Sequence, residues 1–160
     1  MKKSFAIALT LVLAACNHEE TAKAETGAVA PPIVALGLHD EVVSLPEAPA
    51  RPLILNFWSA TCGMCVKELQ EMQRLQAAHP QAVDILAVNI DGADSKTLRA
   101  VAARGTLTVP VAADQLGVTA ERYRVSGTPT SYLIGRDGKI VARQEGVLEA
   151  EALQRWFSLR

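Results

Sequence analysis

Two cysteines that stand three positions apart, Cys62 and Cys65, are the residues best suited to chemistry in this sequence. They follow an apolar run of strand length, residues 53–58, and open a stretch whose apolar residues recur with the period of a helix. A thiolate in the first turn of a helix faces unpaired backbone N–H groups and the positive end of the helix dipole, which lowers its pKa. We therefore predict that Cys62 attacks a disulfide and that Cys65, less exposed, resolves the mixed disulfide.

A helical wheel over residues 65–78 places Glu68 on the same arc as Cys65 and the apolar residues Leu69, Met72 and Leu75. A carboxylate on this inward arc would lose hydration, which would raise its pKa and suit it to carry a proton to or from the Cys65 thiol. At the edge of the helix the same side chain could instead reach solvent. The wheel does not decide between these two interpretations.

Elsewhere the sequence alternates strand and helix patterns, which is typical of an α/β protein whose sheet is parallel in part. Residues 83–90 form a second apolar strand, and Asp94 or Ser95 can cap the helix that follows it. The other predicted elements are a hairpin at 33–45, an edge-like strand at 107–112 that contains Pro110, a short helix at 113–123, an antiparallel pair of strands joined by a turn at 135–139, and a final helix at 149–159.

The first 16 residues, MKKSFAIALTLVLAAC, have the plan of an export signal, with two lysines before an apolar run too short to span a bilayer. The end of this run, residues 13–16, resembles the lipobox of bacterial lipoprotein precursors. The resemblance implies that residues 1–15 are a signal peptide and that Cys16 is lipidated and anchors the chain to a membrane. An ordinary cleaved signal is the alternative.

Residues 16–32 are small and polar and are predicted to be a flexible tether, which leaves 33–160 as the domain.

The chain has three cysteines, so lipidation of Cys16 would leave only the closely spaced pair in an oxidising compartment. Such a pair is more useful as a redox centre than as a structural crosslink.

Without Lys2 and Lys3 the 16 basic residues become 14, against 17 acidic residues, which gives a net charge of −3. The charges are dispersed, and nothing in them indicates nucleic acid binding.

Two segments of the sequence together resemble thioredoxins. Residues 57–65 resemble their active-site segment, and Gly127-Thr128-Pro129-Thr130 resembles their cis-proline loop. Glu68 matches a glutamate of the membrane-tethered thioredoxin-like proteins of the TlpA/ResA type, and the helix after Ile90 resembles their central insertion.

This resemblance implies a thioredoxin-like α/β fold, with a central mixed β-sheet flanked by helices, an N-terminal β-hairpin and a central insertion helix. It also implies a monomer without a cofactor that lies in the cell envelope, exchanges disulfides with exported cysteine-containing proteins such as apocytochrome c, and takes electrons from a membrane dithiol protein of the DsbD/CcdA type. The residues expected to shape or contact the substrate site are Trp58, Gly63, Met64, Thr128 and Pro129.

The sequence departs from the family pattern at Thr61, where a bulky residue such as tryptophan is usual, and at Met64, where proline is usual. Without a proline, position 64 regains a backbone N–H near the sulfurs, which should stabilise the thiolate and make the couple more oxidising. The sequence therefore does not decide the preferred direction of electron transfer.

Other functions fit the same cysteines less well. Cu(I) binding could use Cys62 and Cys65, but Met64 is the only further soft ligand nearby. A zinc site would need four ligands. A thiol peroxidase usually has threonine three residues before the attacking cysteine, where Ser59 stands here. A purely structural disulfide would close a loop too small to constrain the unfolded chain much.

Overall fold

A mixed β-sheet with helices packed on it forms the body of the protein in the computed structural model, which describes residues 24–158. The elements in chain order are β1 (Ala35–Gly37), β2 (Val42–Val43), β3 (Leu53–Trp58), α1 (Gly63–Ala78), β4 (Asp84–Asn89), α2 (Ser95–Arg104), β5 (Val111–Ala113), α3 (Val118–Arg122), β6 (Thr130–Ile134), β7 (Ile140–Glu145) and α4 (Ala150–Ser158). The predicted hairpin corresponds to β1 and β2, and the predicted insertion to α2, whose N-cap is Asp94.

The strands lie in the order β2-β1-β5-β4-β3-β6-β7. β3 pairs in parallel with β4 and antiparallel with β6, and the pairing of β6 with β7 is antiparallel, as predicted. The prediction of an edge position for β5 is wrong, because this short strand lies between β1 and β4. Proline has no backbone N–H to donate to a sheet. Pro110 is compatible with an internal β5 because it stands just before the strand and takes part only through its carbonyl, which accepts a hydrogen bond from Ala87 N (2.9 Å).

The central strand β3 is buried along its whole length. Leu53, Leu55 and Phe57 belong to the apolar cluster on one face of the sheet, and Ile54 and Trp58 belong to the cluster on the other. Helices α1, α2 and α4 contribute to the second cluster. A strand that is buried on both faces cannot slip in register without exposing apolar surface, so β3 holds the residues that follow it in a fixed place.

Residues 24–32, predicted as part of the flexible tether, lie against the domain instead. Ala24 is buried, and Val29 forms an antiparallel bridge with Lys139 at the start of β7. The predicted boundary between residues 32 and 33 is therefore wrong. Small residues without periodicity resemble a linker in composition, but here their backbone extends the sheet beside β7, and backbone pairing does not require large side chains.

No helix within residues 24–158 is long and apolar enough to cross a bilayer. The predicted signal peptide (1–15), the lipidation of Cys16 and the end of the last helix at Leu159 lie outside the described residues and stay predictions.

Candidate active site

The two cysteines follow β3 through a short elbow, residues 59–62. Cys62 is the N-cap of α1, with an extended backbone (φ −89°, ψ 98°), and its Sγ accepts a hydrogen bond from Cys65 N (3.1 Å). The first turn of α1 contains no acidic residue that could compete with the sulfur for the positive end of the helix dipole. The predicted place of the dithiol, after a buried strand and at the start of a helix, is confirmed.

Cys62 and Cys65 are joined in a disulfide, with their Cα atoms 5.3 Å apart. Cys62 is half-buried, whereas Cys65 has no exposed surface and belongs to the same apolar cluster as Leu69 and Met72. A reactant from solvent can therefore reach Cys62 but not Cys65. This difference in exposure is what the predicted division of roles between the two thiols requires.

Glu68 lies one turn after Cys65, and only 4% of its surface is exposed. Its Oε1 accepts a hydrogen bond from Leu148 N (2.6 Å), and its Oε2 accepts one from Asn56 Nδ2 (2.9 Å). Burial raises the pKa of the Glu68 carboxyl, and this effect outweighs the two hydrogen bonds, which lower it. The side chain therefore points inward, and the solvent-facing interpretation of the helical wheel is wrong.

Asn56 extends this buried polar contact across the sheet. Asn56 of β3 and Ser131 of β6 are cross-strand partners, and Asn56 Nδ2 also donates to Ser131 Oγ (2.9 Å). Both side chains are fully buried. Asn56 Oδ1 has no hydrogen-bond partner among the described residues. A chain of three polar side chains, Glu68, Asn56 and Ser131, thus runs through an otherwise apolar interior beneath α1.

The loop before β6 lies at the same edge of the sheet as the dithiol, because Phe57 at the end of β3 pairs with Thr130 at the start of β6. The Thr128–Pro129 peptide bond is cis, as the resemblance to thioredoxins implies. A shallow groove of about 180 Å³ separates this loop from the end of β7. Gly146 N donates to Pro129 O (2.9 Å) and so ties the two walls of the groove together.

The residues predicted to contact a substrate occupy different depths. Gly63 and Met64 lie on the surface, with Met64 63% exposed, while Thr128 is half-buried and Pro129 is buried in the groove wall. Trp58 is fully buried in the cluster that contains Cys65, so the prediction that it contacts a substrate is wrong. As the last residue of β3 it points to the face that α1 covers, and it supports the dithiol from below.

Sequence reasoning missed three polar residues near the dithiol: Asn56, Ser131 and Asp91. A signal existed for Asn56, because an amide inside an apolar strand must find a partner, and alternation along β3 places it on the face of α1. Asp91 gave no such signal, because an aspartate after a strand is an ordinary loop residue. Its hydrogen bonds to the elbow depend on how the loop after β4 folds back.

Comparison with known proteins agrees with this geometry. The model of the AhpC/TSA family matches residues 26–143. The thiol-disulfide oxidoreductase ResA of Bacillus cereus is 32% identical over 155 residues, which cover 96% of this chain and 88% of that protein. The thioredoxin-like protein YneN of Bacillus subtilis is 30% identical over 137 residues, covering 84% of this chain and 80% of that protein.

Among solved structures, the crystal structure of StoA from Bacillus subtilis superposes with a TM-score of 0.66 at 28% identity, covering 80% of this chain and 97% of that chain. The likeness therefore spans the sheet, the dithiol and the cis-proline loop together. The chain belongs to the AhpC/TSA family and is a thiol-disulfide oxidoreductase with a thioredoxin-like fold.

Proposed function

We propose that this chain works outside the cytoplasm, where it reduces disulfides in exported proteins through the Cys62-Gly63-Met64-Cys65 dithiol, for example during cytochrome c maturation. The observation that carries the proposal is the unequal exposure of the two sulfurs at the edge of the sheet that also bears the cis-proline groove. A shallow groove at the same end of the sheet as a single reachable cysteine suits an extended segment of another protein better than a small molecule, which would need a deeper pocket.

The proposed cycle starts from the reduced enzyme. The Cys62 thiolate attacks one sulfur of a substrate disulfide, the substrate S–S bond breaks, and the departing substrate thiolate takes up a proton. Cys65 then loses its proton and attacks Cys62 Sγ, which releases the second substrate thiol. Two electrons pass from the dithiol to the substrate, and the enzyme is left with the Cys62–Cys65 disulfide present in this structure.

Glu68 is the proposed acceptor of the proton that Cys65 loses. Its carboxyl is buried on the same face of α1, and its raised pKa makes it a stronger base than an exposed glutamate. Glu68→Gln should flatten the pH dependence of the resolving step in stopped-flow exchange. An unchanged pH profile would remove this role and would leave the roles of the two cysteines intact.

The proposal includes a lipid anchor at Cys16 and an electron supply from a membrane dithiol protein of the DsbD/CcdA type. The resemblance of residues 13–16 to a lipobox supports the anchor, and a reducing dithiol in an oxidising compartment needs a constant supply of electrons. Cys16→Ala should move the protein from the membrane to the soluble fraction of the cell envelope. Retention of the variant in the membrane would contradict lipid anchoring.

A trapping experiment tests the central proposal. In Cys65→Ser the mixed disulfide cannot be resolved, so cells that produce this variant should accumulate adducts with exported proteins that a thiol reductant releases. Cys62→Ser is the matched control, because it removes the reachable sulfur and should trap nothing. Equal adducts from both variants, or none from either, would contradict the assigned roles of Cys62 and Cys65.

Two alternative functions predict other results. A thiol peroxidase would consume peroxide at a rate that depends on Cys62, but Ser59 Oγ, at the position where that class carries a hydroxyl, is already bonded to Asp91 and Thr61. A Cu(I) carrier would hold copper against thiol competitors. Within residues 24–158 no three His, Cys, Asp or Glu residues form a group that could hold a metal ion, so such a carrier would have to rely on the two cysteines and Met64.

A further inference from the structure

A chain of hydrogen bonds that takes no part in the proposed cycle holds the elbow that presents Cys62. Asp91, in the loop between β4 and α2, accepts hydrogen bonds at Oδ2 from Ser59 Oγ (2.6 Å) and Ala60 N (2.8 Å). Ser59 Oγ also lies 2.9 Å from Thr61 Oγ1 and accepts a hydrogen bond from Thr61 N (3.2 Å). Ser59 O accepts one from Cys62 N (3.1 Å).

The direction of these hydrogen bonds follows from the number of protons available. A serine hydroxyl has one proton to donate and two lone pairs to accept with. Because an ionised carboxylate can only accept, the Ser59 proton goes to Asp91, and the Thr61 hydroxyl must then donate to Ser59. Ser59 Oγ is thereby fully used. The elbow has one defined hydrogen-bond arrangement as long as Asp91 is ionised.

Asp91 keeps its charge at neutral pH. Burial alone would raise the pKa of its carboxyl, but hydrogen bonds from Ser59 and from the backbone N–H groups of Ala60 and Ala93 outweigh burial and hold the pKa below its usual value. A permanent negative charge is thus bonded to the elbow within two to three residues of Cys62. Negative charge near a thiolate destabilises the thiolate and, with it, the reduced form of a redox couple.

We propose that Asp91 is a positioning residue for disulfide exchange: it orders the elbow that presents Cys62, and its charge makes the Cys62–Cys65 couple more reducing. Thr61, where the sequence departs from the family pattern, is part of the same arrangement. A small hydroxyl side chain cannot fix the elbow by packing as a bulky residue could, and the hydrogen bonds through Ser59 to Asp91 fix it instead.

The test compares Asp91→Asn and Asp91→Ala with a matched control, Asp94→Asn, in the full-length chain. Asp94 lies in the same loop and carries the same charge, but its Oδ1 caps α2 by accepting a hydrogen bond from Thr97 N (2.7 Å), and asparagine caps a helix equally well. Two quantities are measured: the equilibrium constant with glutathione and the second-order rate of exchange with a protein disulfide.

Asp91→Asn keeps an oxygen for Ser59 and Ala60 but removes the charge, so its glutathione equilibrium should move several-fold toward a more oxidising couple. Asp91→Ala also removes the acceptor, and its exchange rate should fall about tenfold because the attacking sulfur is less well placed. Asp94→Asn should change neither quantity by more than about twofold, because the Asp94 carboxylate bonds Thr97 N of α2 and not the elbow, and solvent and salt screen an exposed charge that has no such direct link.

An equilibrium constant of Asp91→Asn equal to that of Asp94→Asn would overturn the electrostatic half of the proposal. A wild-type exchange rate in Asp91→Ala would overturn the positioning half. If Asp91→Ala does not fold, Ser59→Ala takes its place, because it breaks the link to Thr61 and leaves the charge intact; a wild-type rate in Ser59→Ala would then refute positioning.

Discussion

Replacing Glu68, which accepts two hydrogen bonds in the core, by glutamine should make the folded protein more stable relative to the wild type at pH 8 than at pH 4. The amide is neutral and close in shape to the carboxyl, and its oxygen can still accept the hydrogen bond from Leu148 N. Its NH₂ group would face the NH₂ group of Asn56. Asn56 can turn its amide over so that its Oδ1 accepts from the new amide and from Ser131 Oγ, but its Nδ2 then takes the buried place where Oδ1 has no partner, and this loss is the same at every pH.

The size of the effect depends on pH, and its sign follows from linkage. The pKa of Glu68 is raised by burial in the folded state, so the folded protein holds this proton to higher pH than the unfolded chain does. The resulting stability is fully present below the unfolded pKa and is lost as pH rises through the folded pKa. Each pKa unit between the two states corresponds to about 1.4 kcal/mol. Glu68→Gln should therefore gain stability relative to the wild type as pH rises from 4 to 8.

Glu68→Leu separates the effect of charge from that of hydrogen bonding. It removes the same charge but leaves Leu148 N and one of the two N–H groups of Asn56 Nδ2 buried without an acceptor, and each such donor costs about 1–3 kcal/mol. This variant should be less stable than the wild type at pH 4, where the carboxyl of the wild type is protonated. Its deficit should shrink as pH rises.

Urea unfolding of the oxidised protein at pH 4, 6 and 8 measures these free energies without interference from free thiols. Glu71→Gln is the matched control on the same helix, because Glu71 is partly exposed and Arg74 holds the pKa of its carboxyl below its usual range. That variant should lose at most about 0.5 kcal/mol at pH 8, with the opposite sign. A Glu68→Gln protein whose stability relative to the wild type does not rise between pH 4 and pH 8 would refute the reasoning.

Three further predictions concern positions outside the buried polar chain. Met64→Pro should make the redox couple more reducing in glutathione buffers, and an equal or more oxidising couple would contradict the role given to the N–H at this position. Gly138 has a φ of +73°, and a Cβ added there would lie 2.2 Å from Glu47 O. Gly138→Ala should therefore lower the free energy of unfolding in urea by about 1–3 kcal/mol. A loss below about 0.5 kcal/mol would be inconsistent with this clash. Tyr123→Phe removes the hydroxyl that donates to Pro31 O (2.7 Å). It should lower the free energy of unfolding by about 1 kcal/mol and speed amide exchange in residues 24–32. Unaltered exchange would show that this bond does not hold the segment.

The position of the dithiol could be predicted because its determinants are local. An apolar strand, a polar elbow and a helix-period pattern occur within 26 consecutive residues, 53–78, and each is recognised by its own spacing. The inward face of α1 was likewise predictable from the wheel. What covers that face was not, since Leu148, which bonds Glu68, is 80 positions away in the chain.

Two of the predictions that proved wrong, those for β5 and for residues 24–32, share a physical cause, which is pairing between segments distant in sequence. β5 has the short length and the preceding proline of an edge strand, and it is internal only because β1 folds back beside it. Residues 24–32 have the composition of a linker and are ordered because the edge of β7 offers them backbone partners. Trp58 is exposed or buried according to where α1 crosses the sheet, and the sequence of β3 alone does not specify that crossing.

Two features close to Cys62 act on the redox couple in opposite directions. The start of α1 favours the thiolate, and the charge of Asp91 disfavours it. In the oxidised protein the N–H that bonds Cys62 Sγ belongs to Cys65, so a proline at position 64 would leave this hydrogen bond in place and would act through the remaining helix N-terminus. Met64→Pro and Asp91→Asn should therefore shift the glutathione equilibrium in opposite senses, and their effects should add in the double variant within about twofold. A double variant in which Met64→Pro has no effect would mean that both residues act through the geometry of one elbow rather than separately on the sulfur.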